Sequence, residues 1–324
     1  MNKISVGVVG CGPMGITHIT NFLNAKNVRE VSACDTSDSR LNRVKRLYRI
    51  RTFTDFGELL KKVDAVCIAT PNSLHYQQVM EAINANKHVL VEKPLATTST
   101  EAMKLVEQAE RQRVILAVGN QKRFNHEYFK IRQDLKSGRL GRPVFIKARM
   151  IGAGPYRFHK AATNWYYSKE KGSGALFDLG PHMIDLVQWV YSKSIPKVLG
   201  AALGSILDVP VEEYAFCLLQ AEGDVVIAIE VGWFAKSPDE SLEIIGTMGQ
   251  RTVRNTQTMK HWALSKFGSS YFKNSDHYWL DQAFIISCLK NKYVGFLATG
   301  ADGANCISVI EKIYAFFSNQ QKRE

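Results

Sequence analysis

Asp178, His182 and Asp185 lie in GSGALFDLGPHMIDL (172–186), an otherwise apolar segment, at spacings of four and three residues. On a helix these spacings put all three side chains on one face. An imidazole titrates close to neutrality, so it can take a proton from an alcohol, and a carboxylate neighbour can fix its tautomer. Gly180 leaves room for a ligand to approach. Pro181 lacks an N–H, which suits a first helical turn and kinks an interior, so regular helix is expected to begin close to Asp178 or to bend there. Taken alone, D-x-x-x-H-x-x-D also fits a capping aspartate beside a satisfied interior histidine. What the first third of the chain binds decides between the two.

That first third opens with a short β-branched run, Ile4 to Val9, leading into Gly10-Cys11-Gly12-Pro13-Met14-Gly15 and a helix-like stretch. The pattern is G-x-G-x-x-G between a strand and a helix. Gly10 permits the tight turn, Gly12 lets backbone approach a pyrophosphate, and Gly15 lets the helix pack close to the strand. The anion then rests on unpaired N–H groups at the helix N-terminus. A second apolar run, Val28 to Cys34, ends at Asp35, 20 residues after Gly15. A carboxylate there can bind a ribose 2′-hydroxyl and repels a 2′-phosphate, so NAD is expected over NADP. Arg40 and Arg43 keep NADP open, because either could meet a phosphate.

Strand and helix patterns then alternate. Val63–Thr70 reads as a buried strand, Leu74–Asn84 as a helix, His88–Val91 as a strand and Val114–Val118 as the last strand. Thr98 followed by Glu101 fits a capping box for the helix between the last two. Such alternation implies a doubly wound parallel sheet with right-handed crossovers, and ligands bind beyond the carboxyl ends of its strands. ATPN (69–72), EKP (92–94) and GNQKRF (119–124) fall on that edge.

Together these motifs resemble the glucose–fructose oxidoreductase, inositol dehydrogenase and MocA-like (Gfo/Idh/MocA) family. The resemblance rests on Gly10-x-Gly12-x-x-Gly15 followed by His18, on Ala69-Thr70-Pro71-Asn72 with His75, on Glu92-Lys93-Pro94, and on Asp178-x-Gly180-x-His182-x-x-Asp185. It extends to IIGTMGQ (244–250) and ADGANCISVIEKI (301–313). It implies a nicotinamide-dependent oxidoreductase of sugars, cyclitols and related compounds. It also implies a Rossmann domain followed by an α+β domain on a large, mostly antiparallel open sheet, through which a homodimer or homotetramer forms. Lys93, Asp178 and His182 become the catalytic set, with Lys93-Pro94 in cis. The candidate cofactor contacts are Gly10, Gly12, Pro13, Met14, Gly15, Asp35, Thr36, Arg40, Thr70, Pro71, Asn72, His75, Glu92 and Lys93. One departure is Gly172-Ser173-Gly174-Ala175, where family members show G-G-G-A.

Beyond Phe124 the pattern changes. HEYFKIRQDLKSGRLGRP reads as a helix closed by Gly138 and Gly141, and PVFIKARMIG as the start of a strand. Residues 152–173 lack a clear period, and so long an irregular stretch is more often a functional loop than filler. Hairpins are expected with turns at Glu222-Gly223-Asp224 and near Met248-Gly249, and helices over 277–290 and 302–318. The expected division is 1–122 for the Rossmann domain and 123–324 for the substrate and oligomerisation domain. Substrate contacts are expected from Lys93, Asn120, Arg123, Tyr156, Asn164, Trp165, Asp178 and His182, with Arg157 and His159 of the same standing. Trp165 could stack on a sugar face or serve a core. Lys160, Lys169 and Lys171 suit a phosphorylated or nucleotide-linked sugar, or a plain surface loop.

The chemistry expected is hydride exchange between NAD and a secondary alcohol or ketone of a sugar, polyol or cyclitol. In this reading His182 is the general base, and Lys93 stabilises the developing alkoxide. Asp178 binds a substrate hydroxyl or partners the histidine. Lys93 acting as the base is the alternative, and Asp185 can be purely structural. Competing readings are an NADP-dependent keto-sugar reductase and a catalytically silent dinucleotide-binding sensor.

The bulk features fit this picture. The 324 residues allow two cores. The net charge of +12 comes from scattered basic residues, densest at 40–51, which suits an anionic cofactor better than nucleic acid. The six cysteines form no C-x-x-C pair, so neither a metal site nor disulfides are expected. No apolar run is long enough for a membrane span, and MNKISVGVVG enters a strand directly, so a cytoplasmic protein is expected.

Overall fold

A computed structural model of the chain describes residues 3–154, 173–206, 209–235, 237–254 and 275–322. Tyr156, Arg157, His159, Lys160, Asn164, Trp165, Lys169 and Lys171 lie outside the described residues. The chain divides into two compact units. One holds everything up to Phe124 and takes back a later stretch that ends at Ala304. The other holds the chain from Asn125 and resumes at Asn305. The expected division was contiguous, whereas the first unit is built from two separate pieces of sequence.

In the first unit, β1 (Ile4–Val9), β2 (Val28–Cys34), β3 (Arg51–Phe53), β4 (Ala65–Ile68), β5 (His88–Val91) and β6 (Leu116–Val118) form a parallel sheet. The order is β6-β5-β4-β1-β2-β3, and a short return strand, Ala298–Thr299, joins β6 antiparallel. β1 is buried along its whole length, as a central strand covered on both faces must be. The crossovers are α1 (Pro13–Leu23), α2 (Asp38–Tyr48), α3 (Phe56–Leu60), α4 (Asn72–Asn84) and α5 (Ser99–Gln112). The return helix Asp276–Lys290 places Leu280, Phe284, Ile285 and Cys288 in one core with Ile4, Val6, Val8, Ile19 and Phe22. Full burial of side chains of this size stabilises by about 1.5–3 kcal/mol each. At the start of α5, Thr98 Oγ1 accepts the Glu101 N–H at 3.2 Å. Glu101 reaches back one residue further than a capping box requires, to the Thr97 hydroxyl at 2.9 Å.

In the second unit, α6 (His126–Lys136) leads into β7 (Pro143–Ile151). The helix α7 (Ala175–Tyr191) is followed by β8 (Lys197–Gly204), β9 (Tyr214–Gln220), β10 (Val226–Gly232), β11 (Asp239–Gly246) and β12 (Gly249–Arg254). The sheet runs β12-β11-β7-β10-β9-β8. Every pair is antiparallel except β7 with β10. The β9–β10 hairpin turns where expected, with Gly223 at φ 81° and Asp224 at φ 61°. α7 packs against β10, β7 and β9. Along β9, Ala215, Cys217 and Leu219 are buried while Tyr214 and Phe216 are exposed, the period-two alternation of a half-covered sheet. The architecture is therefore α/β with a parallel Rossmann sheet and a second, mostly antiparallel sheet.

α7 departs from expectation. It begins at Ala175, on a Gly174 N-cap at φ 114°, and Pro181 lies inside it. The early start is fixed from outside the helix. Glu212 accepts the Ala175 N–H through its backbone carbonyl at 2.9 Å. It accepts the Leu176 N–H through its side chain at 3.0 Å. Two first-turn donors that a local cap would normally satisfy are thus met by a distant residue. The helix then runs on through the proline to Tyr191.

Candidate active site

In the first unit, each glycine of the opening motif has a distinct geometric task. Gly10 sits at φ 91°, and a Cβ there would lie 2.6 Å from the Ala69 carbonyl oxygen. A Cβ at Gly15 would collide with the Gly10 carbonyl oxygen. At Gly12 a Cβ would meet nothing within 4 Å among the described residues, so its Cα faces open space. No side chain caps α1 and no acidic residue stands in its first turn. Pro13 is exposed and Met14 half-buried. An accessible, uncapped helix N-terminus behind a bare Cα is a cradle that fits a dinucleotide's pyrophosphate.

Asp35 is buried at the end of β2. Its Oδ2 accepts the Cys11 N–H at 2.7 Å and its Oδ1 accepts the Ser37 N–H at 2.8 Å. The same carboxylate therefore holds the glycine loop. A carboxylate has about four acceptor sites, so capacity for ribose hydroxyls remains. Thr36 and Arg40 are exposed, and the Arg40 guanidinium lies 3.6 Å from Asp35.

The strand ends at 69–72, 92–94 and 119–120 are tied to one another. Glu92 N–H donates to Ile68 O and Gly119 N–H to Val91 O, both at 2.8 Å. Thr70 Oγ1 donates to Gln78 at 2.6 Å, and Pro71 and Asn72 are half-buried. Lys93-Pro94 is cis, and Lys93 is half-buried. His75, expected as a cofactor contact, lies inside the protein. It is wholly buried, its Nδ1 faces Pro94 O at 2.7 Å, and its Nε2 faces Thr70 O at 2.9 Å. A neutral imidazole donates to one of these carbonyls and lies beside the other, so the ring packs between two strand-end loops. Burial holds its imidazole below the ordinary value, outweighing those two backbone contacts.

Arg123, expected as a substrate contact, is buried beside Asp302. Its side chain is only 6% exposed and its Nη1 lies 3.3 Å from Asp302. Asp302 also accepts the Thr299 N–H at 2.8 Å, so Arg123 braces the segment beyond the return strand. Asn120 is buried at the expected edge, and its Oδ1 has no hydrogen-bond partner among the described residues.

Beneath this edge is a buried polar group that the sequence pattern did not reveal. His18 Nε2 faces Glu92 Oε1 at 3.0 Å and its Nδ1 faces Asp281 Oδ1 at 2.8 Å. Asn21 donates to Asp281 Oδ2 at 2.7 Å. Burial pushes His18 down, but Asp281, with Cys67, outweighs it and the net shift is well above the ordinary imidazole value. Burial pushes Glu92 up, but His18, with His277 and Lys93, holds it below the usual carboxylate range. His18 and Glu92 both stand in the motifs that carry the family resemblance, but nothing in those motifs pointed to Asp281 or to the three being joined; Asn21 shares the buried stripe of α1 with His18, Ile19 and Phe22.

In the second unit, α7 carries Asp178, His182 and Asp185. His182 and Asp185 are buried and Asp178 is half-buried. Trp233, just beyond β10, donates its indole N–H to Asp178 Oδ2 at 3.3 Å. Glu212, which caps α7, also accepts the Tyr314 hydroxyl at 2.8 Å. Burial, then the Glu212 charge, pushes that phenol far above its ordinary value. Neither Trp233 nor Glu212 stood out in the sequence, because each reaches α7 from a different part of the fold. Among the described residues no group of three His, Cys, Asp or Glu could hold a metal ion, and no helix is long and apolar enough to cross a membrane.

Comparison with known proteins bears on both units. The family model "Oxidoreductase family, NAD-binding Rossmann fold" matches residues 4–120, and the "GFO/IDH/MocA C-terminal domain" matches residues 128–251. An uncharacterized oxidoreductase of Schizosaccharomyces pombe is 31% identical over 170 residues, 52% of this chain and 44% of that protein. The match thus spans less than half of that relative's length. The WlbA dehydrogenase from Bordetella pertussis, solved with NADH and UDP-GlcNAcA, is similar with a TM-score of 0.86 at 22% identity, over 98% of this chain and 96% of that one. The scyllo-inositol dehydrogenase from Lactobacillus casei, solved with NAD(H) and scyllo-inositol, gives 0.82 at 24% identity, over 98% of each chain. At these identities the two structures speak for the fold.

Proposed function

The chain belongs to the Gfo/Idh/MocA oxidoreductase family, and from that premise we propose that it exchanges a hydride between NAD and a secondary alcohol or ketone of a sugar, polyol or cyclitol. The observation that carries this reading is the open glycine cradle at α1, held by the buried Asp35 carboxylate. Gly10, Gly12, Pro13, Met14 and Gly15 would hold the pyrophosphate, and Asp35 and Thr36 the adenosine ribose. Thr70, Pro71, Asn72, Glu92 and Lys93 line the strand ends expected to face the nicotinamide half. When bound, NAD supplies the hydride acceptor, or NADH the donor.

The chain's own side chains manage the proton. His182 takes it from the reacting hydroxyl and returns it in the reverse direction. Lys93 donates a hydrogen bond to the oxygen on which negative charge develops. Asp178, held by Trp233, binds a neighbouring hydroxyl. Arg40 supports a second reading with NADP, since its exposed guanidinium lies 3.6 Å from Asp35 and could meet a 2′-phosphate. The exposed Tyr214 and Phe216 on β9 support self-association through the second sheet. A cytoplasmic setting agrees with free NAD as co-substrate.

The test is cofactor reduction by the purified protein, with NAD or NADP against inositols, aldoses, polyols and nucleotide sugars. Turnover with NAD and one polyhydroxyl class is expected, lost in His182→Ala while NADH still binds. NADH binding with no turnover across the whole panel would favour the silent-sensor reading instead.

A further inference from the structure

The buried group beneath the strand ends joins residues of α1, the end of β5 and the return helix. His18 is wholly enclosed, yet both its ring nitrogens face carboxylate oxygens, Asp281 at 2.8 Å and Glu92 at 3.0 Å. A neutral imidazole has one N–H and could satisfy only one of them; an imidazolium satisfies both. Asn21 completes the far end by donating to the second oxygen of Asp281. At the near end, Glu92 Oε2 accepts the Lys93 N–H at 3.3 Å. The Glu92 carboxyl also packs on Gly119, where a Cβ would come within 3.0 Å of its carboxyl carbon. The chain of contacts therefore starts on the return helix, crosses α1 behind the glycine loop, and ends under the backbone of Lys93.

We propose that His18 and Asp281 are positioning residues which, with Glu92, form a buried carboxylate–imidazolium–carboxylate chain that keeps Glu92 ionised and fixes the Lys93 strand end upon it. The role assigned to Lys93 rests on the oxidoreductase reading above, whereas the charge state of the chain does not. An ionised carboxylate is a much stronger acceptor for the Lys93 N–H than a protonated one. An unpartnered carboxylate in this enclosure would instead take up a proton. The other groups facing Glu92 are known. His277 approaches from the return helix, its ring 6.4 Å from that of His18, and burial holds it below the ordinary imidazole value. Cys67 on β4 is pushed up to about 11 by burial and so stays a neutral thiol. Lys93 acts on Glu92, and Glu92 in turn acts on His75, from the adjoining loops, while Lys122 acts on His277. Among the described residues only His18 lies within hydrogen-bond distance of both Glu92 and a second carboxylate, while His277 feels the charges of both from further away.

The experiment uses the full chain labelled with carbon-13 at glutamate carboxyls, the Glu92 resonance being assigned by its loss in E92Q. In the unsubstituted protein it is expected to stay at the ionised position from about pH 5 to 9, and in His18→Gln to titrate within that range. A Glu92 signal that titrates in the unsubstituted protein, or stays flat in His18→Gln, overturns the proposal. The first of these needs only the assignment variant E92Q, and not His18→Gln, to fold. Turnover with NAD and scyllo-inositol gives a second readout. His18→Gln should lose about tenfold in kcat at the acid end, recovering as pH rises, with little change in KM. The double variant H18Q/E92Q should be low at every pH. A uniform loss in His18→Gln with no acid limb would mean packing alone and would also overturn the proposal. Absence of turnover by the unsubstituted protein would count against the substrate reading, while the carboxyl titration still decides the chain.

Discussion

Asp35 accepts the backbone N–H of Cys11 at 2.7 Å across 24 residues of sequence. The acid that ends β2 and the loop that ends β1 are thus one structure, and cofactor selection and loop shape share a side chain. Asp35→Ala should therefore act twice. Leaving the buried Cys11 N–H unsatisfied should cost about 1–3 kcal/mol of stability, read as a lower Tm. NADH affinity, read by nucleotide fluorescence, should fall more than NADPH affinity, because the charge that repels a 2′-phosphate is gone. An unchanged NADH-to-NADPH ratio would count against Asp35 as the selector.

The two neighbouring glycines should behave in opposite ways. Gly12→Ala places its methyl in open space, so stability should stay within about 1 kcal/mol of the parent and Tm should move little. NADH binding should be lost, because the methyl occupies the cradle. Gly15→Ala drives a methyl into backbone, the Gly10 carbonyl, which cannot rotate away. It should lower Tm steeply or prevent folding. Equal thermal stability of the two variants would contradict this assignment.

Trp233 provides a separate handle on Asp178. Trp233→Phe removes the indole N–H that lies 3.3 Å from Asp178 Oδ2 and keeps an aromatic ring in the buried site. Loss of one such hydrogen bond is worth about 1 kcal/mol, or roughly fivefold in kcat/KM for the polyhydroxyl substrate. NADH affinity should not move. A change in NADH affinity without a change in kcat/KM would show that Trp233 does not act through Asp178.

Acid should weaken the first unit through His88. Its Nδ1 accepts the Ile115 N–H at 3.0 Å, which requires that nitrogen to be unprotonated. Burial holds the imidazole below its ordinary value, outweighing Asp64. The folded value is lower than the unfolded one. The stability it contributes is therefore present above the ordinary imidazole value and is lost as pH falls through the depressed one. His88→Asn keeps an acceptor oxygen in place of Nδ1 and removes the titration. The drop in Tm from about pH 8 to 5 should be smaller in that variant, with His75 and His277 still contributing their share. An equal or larger drop would exclude His88 as a source.

Much of the first unit was legible because its signals are local. The β1 run, the three glycines, Asp35 at the end of β2 and Thr98 as a cap all act within a few residues of where they stand. What escaped was set by distant partners. The start of α7 is fixed by Glu212, 36 residues away, so the usual preference of proline for a first turn was overridden. Asp281 sits in an apolar helix 263 residues from His18 and gives no hint of its partner. His75 and Arg123 fall on the expected strand-end edge, but being on that edge does not fix where a side chain points. His75 turned into the protein, and Arg123 found Asp302.

The first unit's two-piece construction has a consequence for inheritance. A gene segment ending at Phe124 would encode all six parallel strands. It would lack Leu280, Phe284 and Ile285 from the core and Asp281 from beside His18 and Asn21. Such a fragment would expose apolar surface and leave polar groups meant for burial without their partner. A single crossover therefore cannot transplant the dinucleotide-binding half of this protein into a relative. Recombination must either replace two segments at once or pass the cofactor site and the distal helix down together.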